Sequence, residues 1–131
     1  MLVPLLRFVG AHILNSNELI NEIQRCQIPD KACYVSYDAI FLYTNIDRSA
    51  AIQSLVELVE DHCNEVETFG LSSNDIRALL RTALECNIFR FENEFYGQKR
   101  GLAVGIRIAP PLAIVYLNHI EEMALTAGIL F

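Results

Sequence analysis

Apolar residues recur every three or four positions over most of this chain, the period of a helix with one buried face. Residues 3 to 13 are apolar and read as wholly or partly helical. Ser16 can cap a helix to about Cys26, with Leu19, Ile20, Ile23 and Cys26 on one face. Asp47 can cap another to about Cys63, with Ile52, Leu55, Val56 and Val59 at core spacing. Ser72-x-x-Asp75 resembles a capping box, with Asp in place of Glu or Gln. The helix it opens carries Ile76, Leu79, Leu80, Ala83 and Leu84 on one stripe. A last helix runs from about Pro110 to Ala127, because proline suits a first turn and Gly128 supplies a stop.

Two stretches break the helical period. Cys33, Val35 and Tyr37 alternate with Tyr34, Ser36 and Asp38, which predicts a strand over 32–38. Ile88 to Gln98 predicts a hairpin with its turn near Glu92-Asn93-Glu94. Pro29-Asp30 punctuates, Thr44-Asn45 reads as a turn, and His62 to Leu71 is a polar connection. The order helix, strand, two helices, hairpin, helix predicts an α+β domain with short antiparallel strands packed on helices.

Length and composition narrow the choice. The 131 residues make one domain or part of one. With 53% hydrophobic and 20% charged residues, the chain holds material for a core. A net charge of -6 counts against a stand-alone nucleic-acid binder. The longest apolar stretch, 101–117, is broken by Arg107 and Pro110-Pro111 and is shorter than the roughly 20 residues of a membrane span. No membrane partner is expected. Residues 1 to 6 resemble the apolar part of a signal peptide but lack its basic start, and Arg7 cuts the stretch short. Cys26, Cys33, Cys63 and Cys86 contain no Cys-x-x-Cys pair, so a zinc site is not expected. Buried free thiols in a reducing compartment are expected instead, which places the chain inside the cell, in the nucleus or cytoplasm. His12, His62 and His119 stand apart and are expected to be solvated or core residues.

Two segments hold residues suited to chemistry. Phosphoryl transfer uses carboxylates that hold two divalent cations about 3.5–4 Å apart, and Asp38 ends a predicted strand, a rigid and partly exposed place for one. A single Asp after a strand is far more often a turn or cap residue. The second segment is 98–113. Gly101 and Gly105 allow close backbone approach, and the helix start that follows offers free N–H groups. Lys99, Arg100 and Arg107 make it the most basic stretch of an acidic chain. Its spacing alone fits a hairpin-to-helix loop with solvated basic residues equally well.

Together the two segments resemble a known family. Ser36-Tyr37-Asp38 and Leu42-Tyr43-Thr44-Asn45-Ile46 stand where motif A of reverse transcriptases from Penelope-like retroelements has Ser-Phe-Asp and Leu-Phe-Thr-Asn-Ile. Tyr96, Gln98, Gly101, Ala103, Gly105, Pro110, Leu112-Ala113 and Glu121 match the motif B pattern of that family in order and without gaps. The resemblance spans nearly the whole chain. It implies a partial RNA-directed DNA polymerase domain over 1–131, a palm segment from the lead-in to motif A through motif B. The full-length enzyme would use Mg²⁺ or Mn²⁺ for two-metal nucleotidyl transfer, with an RNA template, a DNA primer and dNTP as partners. By resemblance Asp38 is the catalytic metal ligand, and the backbone carbonyl of Ala39 assists. Tyr43 is the bulky side chain under the sugar that excludes a 2′-hydroxyl; otherwise it is an ordinary core tyrosine. Gln98 and Gly105 lie on the template or incoming-nucleotide side. Lys99, Arg100, Gly101 and Arg107 meet nucleic acid.

The match has gaps. The second catalytic block of the family is an Asp-Asp pair after motif B, and no Asp-Asp occurs in this chain. The basic finger motifs and the thumb are absent too. Val104 replaces Met, Ile106 replaces Ser, Arg107-Ile108-Ala109 replaces Pro-Leu-Ser, and Ala39-Ile40-Phe41 replaces Val-Val-Ser. One carboxylate cannot hold two metals, so the isolated chain is expected to lack polymerase activity. Two alternatives stand beside the polymerase fragment. One is a catalytically dead, host-expressed remnant that serves as an interaction or scaffold domain and self-associates through apolar faces exposed by truncation. The other is an unrelated small α+β domain with coincidental motifs.

Overall fold

A computed structural model describes residues 2–33, 35–36 and 38–128. In chain order the elements are a 3-10 helix Val3–Phe8, α1 Ser16–Arg25, α2 Leu42–Asn45, α3 Arg48–Asp61, α4 Ser73–Glu85, β1 Ile88–Phe91, β2 Glu94–Gly97 and α5 Ala109–Thr126. The chain is therefore α+β, as its pattern predicts.

The core is helical. α3 packs against both α4 and α5, and the 3-10 helix packs on α3 and α5. Ile52, Leu55, Val56 and Val59 of α3 are buried at the predicted spacing. They meet Ile76, Leu80 and Leu84 of α4 and Leu112, Ala113 and Val115 of α5. Leu5, Val9, Ile46 and Leu102 complete the cluster. Each fully buried Leu adds roughly 1.5–3 kcal/mol of transfer free energy. The α4 stripe is narrower than its sequence predicts: Leu79 and Ala83 are exposed.

Side-chain caps set the starts of α1, α3 and α4. The Asp47 side chain accepts the Ala50 N–H at 2.7 Å and starts α3. The Ser72–Asp75 capping box is complete in both directions. The hydrogen bonds of Asp75, first from the Ser72 hydroxyl and then from its backbone N–H, hold its carboxyl below the ordinary value. Asn15, not Ser16, caps α1, because its side chain reaches the N–H groups of Asn17 and Glu18. Gly128, in the left-handed region at φ 74°, follows α5 as its stop.

Several expectations do not hold. No described residue of 32–38 lies in a strand; Tyr34 and Tyr37 lie outside the described residues. Among the described residues, β1 and β2 pair only with each other, so a strand at 32–38 has no ladder to join. Thr44-Asn45 belongs to the single turn of α2. The hairpin forms as predicted, and Glu92 and Asn93 both have positive φ, as a type I′ turn requires. However, both strands are exposed along their whole length rather than packed on helices. α1 buries no residue, and Leu19, Ile20 and Ile23 face outward. All four cysteines are free and exposed rather than buried. Among the described residues, no helix is long and apolar enough to cross a membrane.

Candidate functional site

The two sequence motifs meet. Positions 43–44 and 101–102 are far apart in the chain, yet Leu102 donates its N–H to the Tyr43 carbonyl at 2.6 Å. Gly101 sits in the left-handed region at φ 67° against the same stretch. A Cβ there would lie 2.6 Å from Thr44 Cα and 2.7 Å from the Thr44 carbonyl oxygen, and closer still to that of Tyr43. All three are main-chain atoms, so the position has room only for glycine. Glycine in this motif is thus explained by a contact with the other motif.

Arg48 fastens the same loop. Its Nε donates to the Gly101 carbonyl at 2.6 Å, and a terminal guanidinium nitrogen donates to the Gln98 carbonyl at 2.8 Å. Within the loop, Gln98 Nε2 donates to the Arg100 carbonyl at 2.8 Å, and the Gln98 N–H donates to the Asn87 carbonyl. The loop is therefore tied to α2, to α3 and to the base of the hairpin.

Two clefts flank this junction. One, of about 710 Å³, lies between the hairpin base and the loop, with Ile88, Phe89, Gln98, Leu102, Val104 and Ile106 among its lining residues. The other, of about 560 Å³, lies between the start of α3 and the loop, where Arg48, Lys99, Arg100 and Gly101 line it. Thr44 and Arg100 border both clefts.

The remaining candidates are spread more widely. Tyr43 is half-buried and packs its ring against the core, outside both clefts. Gly105 is exposed at φ 101° with open space around it. Asp38, Ala39 and Arg107 are exposed and line neither cleft. The loop thus brings Gln98, Lys99, Arg100 and Gly101 beside the backbone of Tyr43, but not beside Asp38 at either cleft.

A two-metal site needs several carboxylates around one point. Among the described residues, no group of three or more His, Cys, Asp or Glu is placed to hold a cation. The described residues do not make such a site by themselves, and no chemistry through a metal follows from them.

Sequence reasoning missed Arg48, although it carried one signal. A cation at the first position of a helix faces the positive end of the helix dipole. An arginine there needs a partner from elsewhere, and the 98–101 carbonyls supply it. No family model matches this chain, and neither any curated protein nor any solved structure is significantly similar to it.

Proposed function

We propose that this chain is a palm segment of a reverse transcriptase, from the lead-in to motif A through motif B. The whole enzyme would add deoxynucleotides to a 3′-hydroxyl along an RNA template, inside the cell, in the nucleus or cytoplasm. One observation carries the proposal: the two stretches that resemble motifs A and B dock on each other through Tyr43–Thr44 and Gly101–Leu102. The proposed roles of Tyr43 under the sugar and Gln98 beside the nucleotide need these loops to be neighbours. The assignment requires this contact, whereas coincidental motifs do not. In this assignment Asp38 is the catalytic metal ligand, with the Ala39 carbonyl beside it, for Mg²⁺ or Mn²⁺ in the complete enzyme. Gln98 and Gly105 face the template or dNTP. Lys99, Arg100, Gly101 and Arg107 meet the RNA template or DNA primer.

A second function is favoured by other observations. The α1 stripe and the hairpin aromatics are exposed, and Asp38 is the one carboxylate that the resemblance assigns. Such a chain would act as a non-catalytic interaction domain that self-associates. Sequencing the transcript in both directions past this reading frame separates the two. An in-frame hairpin with an Asp-Asp pair after position 131, and a basic segment upstream, supports the polymerase. A stop codon or frameshift there supports the remnant. In a protein carrying those blocks, Asp38→Ala should abolish primer extension with the fold retained; an unchanged rate would remove Asp38 from the catalytic role.

A further inference from the structure

We infer that the cleft between the start of α3 and the 98–101 loop is a binding site for a phosphate group. Its lining includes Thr44, Asp47, Arg48, Ser49, Lys99 and Arg100. Three of these are cations, in a chain of net charge -6. The local sign is the reverse of the global one, which is the footprint of an anion site. Among the described residues the ion pairs are Arg25–Glu22 and His62–Glu65, so no carboxylate pairs with Arg48, Lys99 or Arg100. The one acid in the lining, Asp47, has Oδ1 engaged by the Ala50 N–H.

Arg48 is what makes this more than a patch of surface charge. Two of its N–H groups are fixed on the carbonyls of Gly101 and Gln98. The guanidinium has further donors beyond those two. Held on both sides by main chain, it loses little side-chain freedom when a ligand arrives. Lys99 and Arg100 stand on the loop that Arg48 fixes, and the start of α3 adds its positive dipole end. Ser49 contributes a hydroxyl donor. The ligand is a phosphate oxyanion, carried by a nucleic-acid backbone or by a nucleotide polyphosphate. The inference deepens the polymerase proposal, which already sets Lys99, Arg100 and Gly101 against nucleic acid, and rests on that reading for the nucleic-acid source of the phosphate. Arg48, Ser49 and the cleft itself are argued from charge and geometry.

The test is titration of the ¹⁵N-labelled chain with inorganic tripolyphosphate and, separately, with an oligothymidylate, followed by amide NMR at low salt. Shifts confined to residues 44–49 and 98–101 are expected. No shift with tripolyphosphate, or shifts elsewhere only, overturns the site. The Lys99→Gln/Arg100→Gln variant changes two exposed side chains, and its own spectrum reports that the fold is kept. It should weaken tripolyphosphate binding by about tenfold or more, the loss of roughly one charge-assisted hydrogen bond. Against the oligonucleotide, the slope of log K against log salt should shrink by about 1.4 as two phosphate contacts go. Unchanged affinity in the double variant overturns the site. Displacement of tripolyphosphate by the oligonucleotide identifies the nucleic-acid backbone as the source of phosphate. Tripolyphosphate binding with no oligonucleotide binding identifies a free polyphosphate. That outcome keeps the site while counting against the polymerase assignment of the loop.

Discussion

Replacing Gly101 with alanine tests the docking of the two motifs directly. The substitution acts twice. Alanine must adopt φ 67°, which costs roughly 1–2 kcal/mol for an L-residue. Its Cβ must also overlap the main chain of Tyr43 and Thr44, which has no side-chain freedom to yield. The loop is expected to move away instead. Undocking gives up the Leu102–Tyr43 hydrogen bond, about 1 kcal/mol, and the two Arg48 bonds, roughly 1.5 kcal/mol each at this partly buried site. The total loss is roughly 4–6 kcal/mol, against about 5–15 kcal/mol for a whole domain. Gly70 is the control. Its φ of 77° is similar, but an added Cβ meets nothing within 4 Å. Gly70→Ala should therefore cost only the conformational part, roughly 1–2 kcal/mol. At about 3–5 °C per kcal/mol for a chain of this size, Gly101→Ala should lower Tm by roughly 15 °C or more and Gly70→Ala by about 5 °C. Far-UV circular dichroism during heating, with urea unfolding in parallel, reads both. Equal losses in the two variants would refute the account of Gly101 as a steric requirement.

Other predictions address separate regions. Asp75 has its carboxyl pKa lowered by the capping box, so its contribution is complete above the ordinary value of 3.8 and is lost as pH falls through the lowered value. Asp75→Asn should flatten that part of the stability profile in urea titrations from neutral pH to about pH 2; an unchanged profile would remove the carboxylate from the cap. Ile20→Glu/Ile23→Glu on α1 alters exposed side chains outside the buried core, so stability should stay within about 0.5 kcal/mol of the parent. Sedimentation velocity should show less self-association in that variant, and a large fall in Tm would instead mean that α1 packs on the core. All four cysteines are exposed, so an aromatic disulfide reagent should titrate them in native buffer as completely as in urea. The chain alone should extend no primer with Mg²⁺ or Mn²⁺, and any incorporation of labelled dNTP would contradict that.

Much of the helical frame was legible because its signals are local. Asp47 and Ser72 announce α3 and α4, and Ile52, Leu55, Val56 and Val59 mark the buried face before any tertiary contact is known. Glu92-Asn93 marks the hairpin turn for the same reason. Among the described residues of 32–38 none joins a strand: a strand needs a neighbour, and alternation says nothing about whether one exists. Cysteine burial misled because a preference for interiors cannot place Cys33 or Cys86 on a core-facing side. In the candidate site, sequence pattern selected Gly101 and Gln98, but not what they touch. The contact with Tyr43–Thr44 depends on how α2, α3 and the loop sit together. Arg48 was hidden because a single arginine at a helix start has no pattern to belong to, only a charge of the unfavourable sign.

The junction between Tyr43 and Leu102 also bears on the order in which the chain folds. It closes a loop of about 60 residues, an entropic cost of roughly 3–4 kcal/mol beyond a constant. The α4 cap and the hairpin turn close loops of only a few residues and can form early. The long closure is repaid in part by Arg48, which α3 must exist to present. Docking of the 98–102 loop is therefore expected after the transition state, with φ-values near zero at Gly101 and Arg48 in folding kinetics. Changes at Gly101 or Arg48 then act on the lifetime of the folded molecule: they hasten unfolding and leave the speed of folding nearly as it was.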